Sequence, residues 1–216
     1  MIRNLFAEYF GTAILVATVI GSGIMGTDLS GDFLVALLAN ALATVSMLAV
    51  LILLLGPISG AHFNPIVSLA LAVNRRFSAK LVLPYSISQT LGAISGAVRA
   101  NVMFGELAIE ISTKQRFEIG TAVGEVVASL MLVLVILVLL QTNQESRIFI
   151  AVPAAIGAGY FFTSSTSFAN PAVTIGRMFS DTFAGIAPAS ALGFIAFQFV
   201  GLVLAIALAK LLRPAS

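Results

Sequence analysis

Six apolar runs, each about the 20 residues that a helix needs to cross roughly 30 Å of hydrocarbon, leave this chain one solvent in which to fold. They cover residues 4–24, 33–55, 80–104, 119–140, 148–166 and 190–212 of 216. The runs are long and lack strict alternation, so helices are expected rather than strands. Between them lie "MGTDLSGD", "NRRFSAK", "GELAIEISTKQRFE" and "QTNQESR", with a further break around Asn170. Composition agrees, with 59% hydrophobic and 9% charged residues against about a quarter charged in a soluble domain. The first run passes directly into a polar turn and another span, so no cleavable signal is expected.

Charge placement then orients the chain. With both termini on one side, that side collects Arg3, Arg75, Arg76, Lys80, Arg147, Lys210 and Arg213 against Glu145. The other side holds Asp28, Asp32, Glu106, Glu110 and Glu118, with Lys114 and Arg116. Excess Lys and Arg marks the cytoplasmic face, so both termini are expected there. Cysteine is absent and His62 is the single histidine, which removes thiolate chemistry and offers no cluster of metal ligands. No nucleophile, base and metal constellation of an enzyme is visible. Neither a cofactor nor a nucleic-acid partner is expected.

Three marks recur in one order. "AEYFGT" at 7–12 and "GEVVAS" at 124–129 each place a glutamate early in a span; "HFNPIVSLAL" at 62–71 is matched by "FANPAVTIGRMF" at 168–179; "QTLG" at 89–92 is matched by "QFVG" at 198–201. The chain therefore reads as a single transmembrane domain, 1–216, of two repeats at about 1–105 and 117–214. Each repeat holds three spans, so the second enters the membrane from the opposite side, and a site is expected at the repeat interface near the midplane. The segment from Asn64 to Val73 is about 15 Å long as a helix at 1.5 Å per residue, too short to span. Asparagine is a strong N-cap and proline suits the first helical position. A single Asn-Pro would be explained by an ordinary capped helix. Two in matching positions point to half-helices that enter from opposite faces and meet N-termini first. Irregular backbone at that depth survives only within protein or along a water-filled cavity.

Six spans, repeated glutamates, "SGAHFNP" and "FANPA" together resemble the aquaporin and aquaglyceroporin family, the major intrinsic proteins, over essentially the whole chain. The resemblance implies an all-α membrane protein of six tilted helices and two re-entrant half-helices in an inverted 3+3 repeat. It also implies one pore per subunit, a homotetramer, and passage of water and small neutral solutes. A bacterial plasma membrane is the expected location, with the lipid bilayer as surroundings. The pore constriction would comprise Asn64, Pro65, Asn170, Pro171 and Ala172. Each asparagine oxygen would cap its half-helix and leave the NH₂ free to donate into the lumen. The half-helix N-termini would add about half an elementary positive charge each, opposing cations and interrupting a proton wire.

Glu8 and Glu125 correspond to glutamates that accept hydrogen bonds from the motif loops; a carboxylate pair in a proton-coupled carrier is the competing reading. His62 corresponds to a histidine near the cytoplasmic mouth, a candidate gate because histidine titrates near neutrality, or a fixed hydrogen-bonding residue. Gly92 and Gly96 form a G-x-x-x-G expected to bring helices close.

Two departures stand out. The first motif reads Asn64-Pro65-Ile66, and Val173 stands where most members carry arginine after the second motif. Ungapped counting from the motifs carries the family's selectivity filter onto Thr44, Ala158, Ser167 and Val173, a small and uncharged set. Losing a guanidinium removes charge, five donors and bulk. The expectation is a wide pore for water, glycerol, urea and undissociated metalloid acids such as arsenous acid. The valine also resembles that of bacterial channels associated with arsenic handling. Arg177, one helical turn beyond Val173, would either reach back to the vestibule or pair with Asp181. An orthodox water-selective channel is the nearest alternative, and a weakly cation-leaky ion channel is the alternative of another class, although no carbonyl filter or acidic ring appears.

Overall fold

The computed structural model describes residues 1–213; residue 214, the expected end of the second repeat, lies outside them. Eight α-helices follow in order among the described residues: α1 (Ile2–Leu29), α2 (Phe33–Ser59), α3 (Pro65–Val73), α4 (Ala79–Met103), α5 (Ile119–Gln141), α6 (Ile148–Phe162), α7 (Pro171–Arg177) and α8 (Pro188–Leu211). Five of them, α1, α2, α4, α5 and α8, are long and apolar enough to cross a membrane. The sixth, α6, has 15 residues, about 22 Å of helix. A short 3₁₀ turn at Glu145–Arg147 leads into it.

The expected fifth span ran to 166, whereas α6 stops at Phe162. The reason is local. "TSSTS" at 163–167 bonds its hydroxyls back onto the chain: Thr163 Oγ1 donates to the Gly159 carbonyl at 2.7 Å and accepts from the Ser167 N–H at 3.1 Å. Such side-chain bonds compete with the helical ladder.

The short helices behave as the N-cap argument requires. Asn64 and Asn170 sit in nearly the same extended conformation, φ −155°, ψ 122° and φ −156°, ψ 109°. Asn64 Oδ1 accepts from the Ile66 N–H at 3.0 Å, and Asn170 Oδ1 from the N–H groups of Ala172 at 3.0 Å and Val173 at 3.3 Å. At nine and seven residues, α3 and α7 are about 14 and 11 Å long. Each runs outward from the bundle centre, α3 toward the face bearing the termini and α7 toward the opposite face.

Packing pairs α1 with α2 and α4, and α5 with α6 and α8, while α2 meets α6 and α4 meets α7 across the middle. The closest helix contacts depend on glycine. A Cβ on Gly92 or Gly96 of α4 would overlap the backbone carbonyls of Tyr9 or Ala13 on α1, and one on Gly201 of α8 would collide with the Val126 carbonyl on α5. None of these three carbonyls can yield without moving its helix. Gly96→Val should therefore force α1 and α4 apart and lower stability by about 1–3 kcal/mol, the usual effect of overpacking. Thermal unfolding in detergent measures this. Gly120→Ala, which meets nothing within 4 Å, serves as the matched control and should leave stability unchanged or raise it by up to about 1 kcal/mol.

Candidate functional site

Irregular backbone deep in the bundle needs acceptors for its N–H groups, and two buried carboxylates supply them. Glu8 on α1 and Glu125 on α5 are both wholly buried. Glu8 Oε1 accepts from Ser59 Oγ at 2.6 Å and from the His62 N–H at 3.0 Å; its Oε2 accepts from the Phe63 N–H at 2.7 Å and Gln89 Nε2 at 2.8 Å. Glu125 repeats the arrangement, accepting at 3.0 Å from the N–H groups of both Phe168 and Ala169, and from Gln198 Nε2. Successive N–H groups converge on one anion because the loops alternate in handedness. Ala61 and Phe63 (φ 50° and 49°) correspond to Ser167 and Ala169 (φ 54° and 46°), three residues and one residue before each asparagine. Left-handed non-glycine residues cost of order 1–3 kcal/mol each and persist only where the surroundings hold them.

The two loops then fasten to each other. Asn64 Nδ2 donates to the Ala169 carbonyl at 2.8 Å, and Asn170 Nδ2 to the Phe63 carbonyl at 2.8 Å. The expectation of an NH₂ wholly free for the lumen is thus corrected. One hydrogen of each amide is spent on the opposite loop, and one remains. Both asparagines line a cavity of about 370 Å³ that runs along the bundle centre.

That cavity has two kinds of wall. Leu15, Val19, Leu48, Leu132, Ile136, Val152 and Ile156 make an apolar side, while His62, the two asparagines, Thr44, Tyr160 and Ser167 supply the polar groups. Arg76 lies in the lining beyond α3 and donates to the Leu140 carbonyl at 3.3 Å. His62 is held by Ser68, with Nδ1 2.9 Å from the hydroxyl. Its ring packs edge-on to Phe77 at 4.7 Å and against Tyr85 at 5.2 Å.

Of the four filter positions read from the sequence, Thr44, Ser167 and Val173 line the cavity. Ala158 does not; it is exposed on the outside of α6. Val152, Ile156, Gly159 and Tyr160 form the buried face of that helix. Ungapped counting therefore lands two residues short of the aromatic that occupies this wall, and two residues are about 200° around a helix. Tyr160 OH donates to Thr44 Oγ1 at 3.3 Å. The opposite approach is opened by Gly159, where a Cβ would stand 2.7 Å from Ser167 Cβ.

Arg177 also lies in the cavity wall, one helical turn beyond Val173. Its pairing with Asp181 does not form, because α7 ends at Arg177 and the chain has turned before residue 181. Asp181 accepts instead from the Thr113 N–H at 2.9 Å, Thr113 Oγ1 at 2.8 Å and Ser112 Oγ at 3.1 Å. The Thr113 backbone bond, first among these, holds its carboxyl below the usual aspartate value.

Sequence reasoning missed Tyr160 and gave no role to Phe168, Gln89 or Gln198. The two glutamines carried a signal, being polar groups within apolar spans. Each bridges a carboxylate to the first turn of a half-helix, Gln89 to Ser68 Oγ at 3.1 Å and Gln198 to Thr174 Oγ1 at 3.0 Å. Glu125→Ala should leave two buried N–H groups unpartnered at about 1–3 kcal/mol each. A fall in thermal stability in detergent of that order is expected, whereas Glu145→Ala at the exposed 3₁₀ turn should shift it by no more than about 0.5 kcal/mol.

Comparison with known proteins agrees with this architecture. Residues 1–166 match the family model "Major intrinsic protein", a segment that ends before the second Asn-Pro phrase. The chain is 44% identical over 218 aligned residues to "Aquaglyceroporin AqpS" of Rhizobium meliloti (strain 1021), covering 99% of this chain and 91% of that protein. It is 43% identical over 100 residues to "Aquaporin Z" of Brucella melitensis, covering 45% of this chain and 42% of the relative. The fold is shared with the X-ray structure of the aquaglyceroporin from Plasmodium falciparum, at a TM-score of 0.74 and 24% identity over 99% of this chain and 96% of that one. A six-span helical bundle closed by two half-helices, with these relatives, is a multi-pass membrane channel for water and small solutes, and the chain belongs to the major intrinsic protein family.

Proposed function

We propose that this chain is a passive channel of aquaglyceroporin breadth, passing water, glycerol, urea and undissociated metalloid acids such as arsenous acid. The observation that carries the reading is the wall at Val173, where an apolar side chain shares the cavity lining with Thr44 and Ser167. A small apolar residue there offers solutes bulkier than water a wider passage than a guanidinium would. The apolar side suits the carbon edge of a polyol, and the hydroxyls suit its oxygens. The full-length similarity to an aquaglyceroporin supports the same reading.

In this mechanism Asn64 and Asn170 each turn one amide hydrogen to the lumen, so a water between them directs its oxygen to both and its hydrogens outward. A continuous proton wire is broken there. Glu8 and Glu125 act as supports, since neither lines the cavity. His62 acts as a fixed hydrogen-bonding residue, its Nδ1 engaged by Ser68. The halves at about 1–105 and 117–214 form one channel domain, and the Lys and Arg excess on the terminal side puts both termini in the cytoplasm of a bacterial cell. Four copies, each with its own pore, form the assembly implied by the family.

Stopped-flow swelling of proteoliposomes tests the substrate range. Comparable entry of water, glycerol, urea and arsenous acid is expected; fast water beside slow glycerol would favour a water-selective channel and overturn the proposed breadth. Val173→Arg should slow glycerol and urea by about tenfold, equivalent to ~1.4 kcal/mol on the barrier, and water by less.

A further inference from the structure

We propose that Arg177, held on the face of Phe168, is the fixed charge of the outer pore, standing one helical turn beyond Val173. The inference rests on the pore reading above and adds the group that excludes ions from it. Arg177 is 5% exposed, and its guanidinium carbon lies 3.4 Å from the centre of the Phe168 ring. Its Nε donates to the Ala184 carbonyl. Among the described residues these are the only hydrogen bond and aromatic contact of its side chain. The Nη groups carry the other four N–H donors, and the residue lines the cavity. A guanidinium buried merely to pack would be expected to satisfy its donors within the protein. Here the Nη groups meet no protein acceptor among the described residues, and the cavity is beside them.

The support is built in layers. Glu125 Oε1 accepts from the Phe168 N–H at 3.0 Å, fixing the backbone from which the ring projects. Phe194 packs edge-on against that ring at 5.0 Å. Arg116 approaches the same ring at 5.8 Å and donates to the carbonyls of Gly185 at 2.6 Å and Phe183 at 2.8 Å. Two guanidiniums thus flank one aromatic side chain, and neither is hydrogen-bonded to a carboxylate among the described residues. Their combined field opposes entry of a cation, while the free Nη donors suit an uncharged solute carrying oxygen acceptors. Four residues of helix are about 6 Å, so charge is sorted outside the level at which Val173 sets the width. Size and charge selection occupy different levels of this pore.

Full-length protein in liposomes tests the assignment, with potassium and proton flux measured per unit of water permeability in the same vesicles. Arg177→Gln should raise ion flux by about tenfold or more, and Arg177→Lys should remain close to the parent. Phe168→Leu, which keeps the charge but removes its platform, should leak at an intermediate level. Adding Val173→Arg to Arg177→Gln should recover ion tightness while slowing glycerol. An Arg177→Gln channel as ion-tight as the parent would overturn the proposal. If that variant does not fold, an ion-tight Phe168→Leu channel overturns the tethered charge. A parent that admits water but not glycerol would count against the proposed substrate range alone, because ion tightness is read against water.

Discussion

A backbone amide left unpaired inside a hydrocarbon layer has no water to turn to, and the structure is arranged around that deficit. Two loops must lie open at the bundle centre if a solute is to pass. Glu8 and Glu125 gather the N–H groups those loops expose, and everything else follows from where the gathered loops then point. Charged side chains at this depth are expensive unless fully engaged. Here the expense is offset because one carboxylate replaces several missing backbone partners, and a glutamine and a half-helix hydroxyl complete each network.

The consequence is a division between support and surface. The carboxylates and glutamines stay behind the loops, while the lumen meets asparagine amides, hydroxyls and a long apolar wall. A passing molecule is never offered a full ring of hydrogen-bonding groups. It can keep some contact with polar protein while sliding along hydrocarbon, which favours transit over capture. Specific binding tight enough to be measured would slow a channel of this kind.

Much of the frame could be read in the residues. The half-helices followed from N-cap chemistry and length, and the glutamates from recurrence in the same order as the Asn-Pro phrases. Helical breaks in "TSSTS" were less legible, because whether a hydroxyl bonds its own backbone depends on loop contacts that periodicity does not carry. The filter was legible in part. Positions tied closely to a motif, such as Val173 and Ser167, fell in the cavity wall. The count from Asn170 to Ala158 crosses the irregular 163–169 segment, and two residues separate that outward alanine from the inward Tyr160. Arg177 shows a different limit. Spacing put it on the right helix, but its aromatic platform on Phe168, and the bonds from Ser112 and Thr113 that take the Asp181 carboxylate away, emerge only when both loops are folded.

The reciprocal bonds between the two motif loops also bear on how the molecule is assembled. Each carboxylate reaches its loop across 43 to 55 residues, within one half of the chain. The asparagine bonds reach across 105 and 107 residues, from one half to the other. Loop-closure entropy makes the nearer contacts the earlier ones. As the chain leaves the ribosome, the first half can therefore set its loop against Glu8 before the second half exists, but it cannot complete the centre. The amide bonds that join the two loops can form only once the inverted second half is in place.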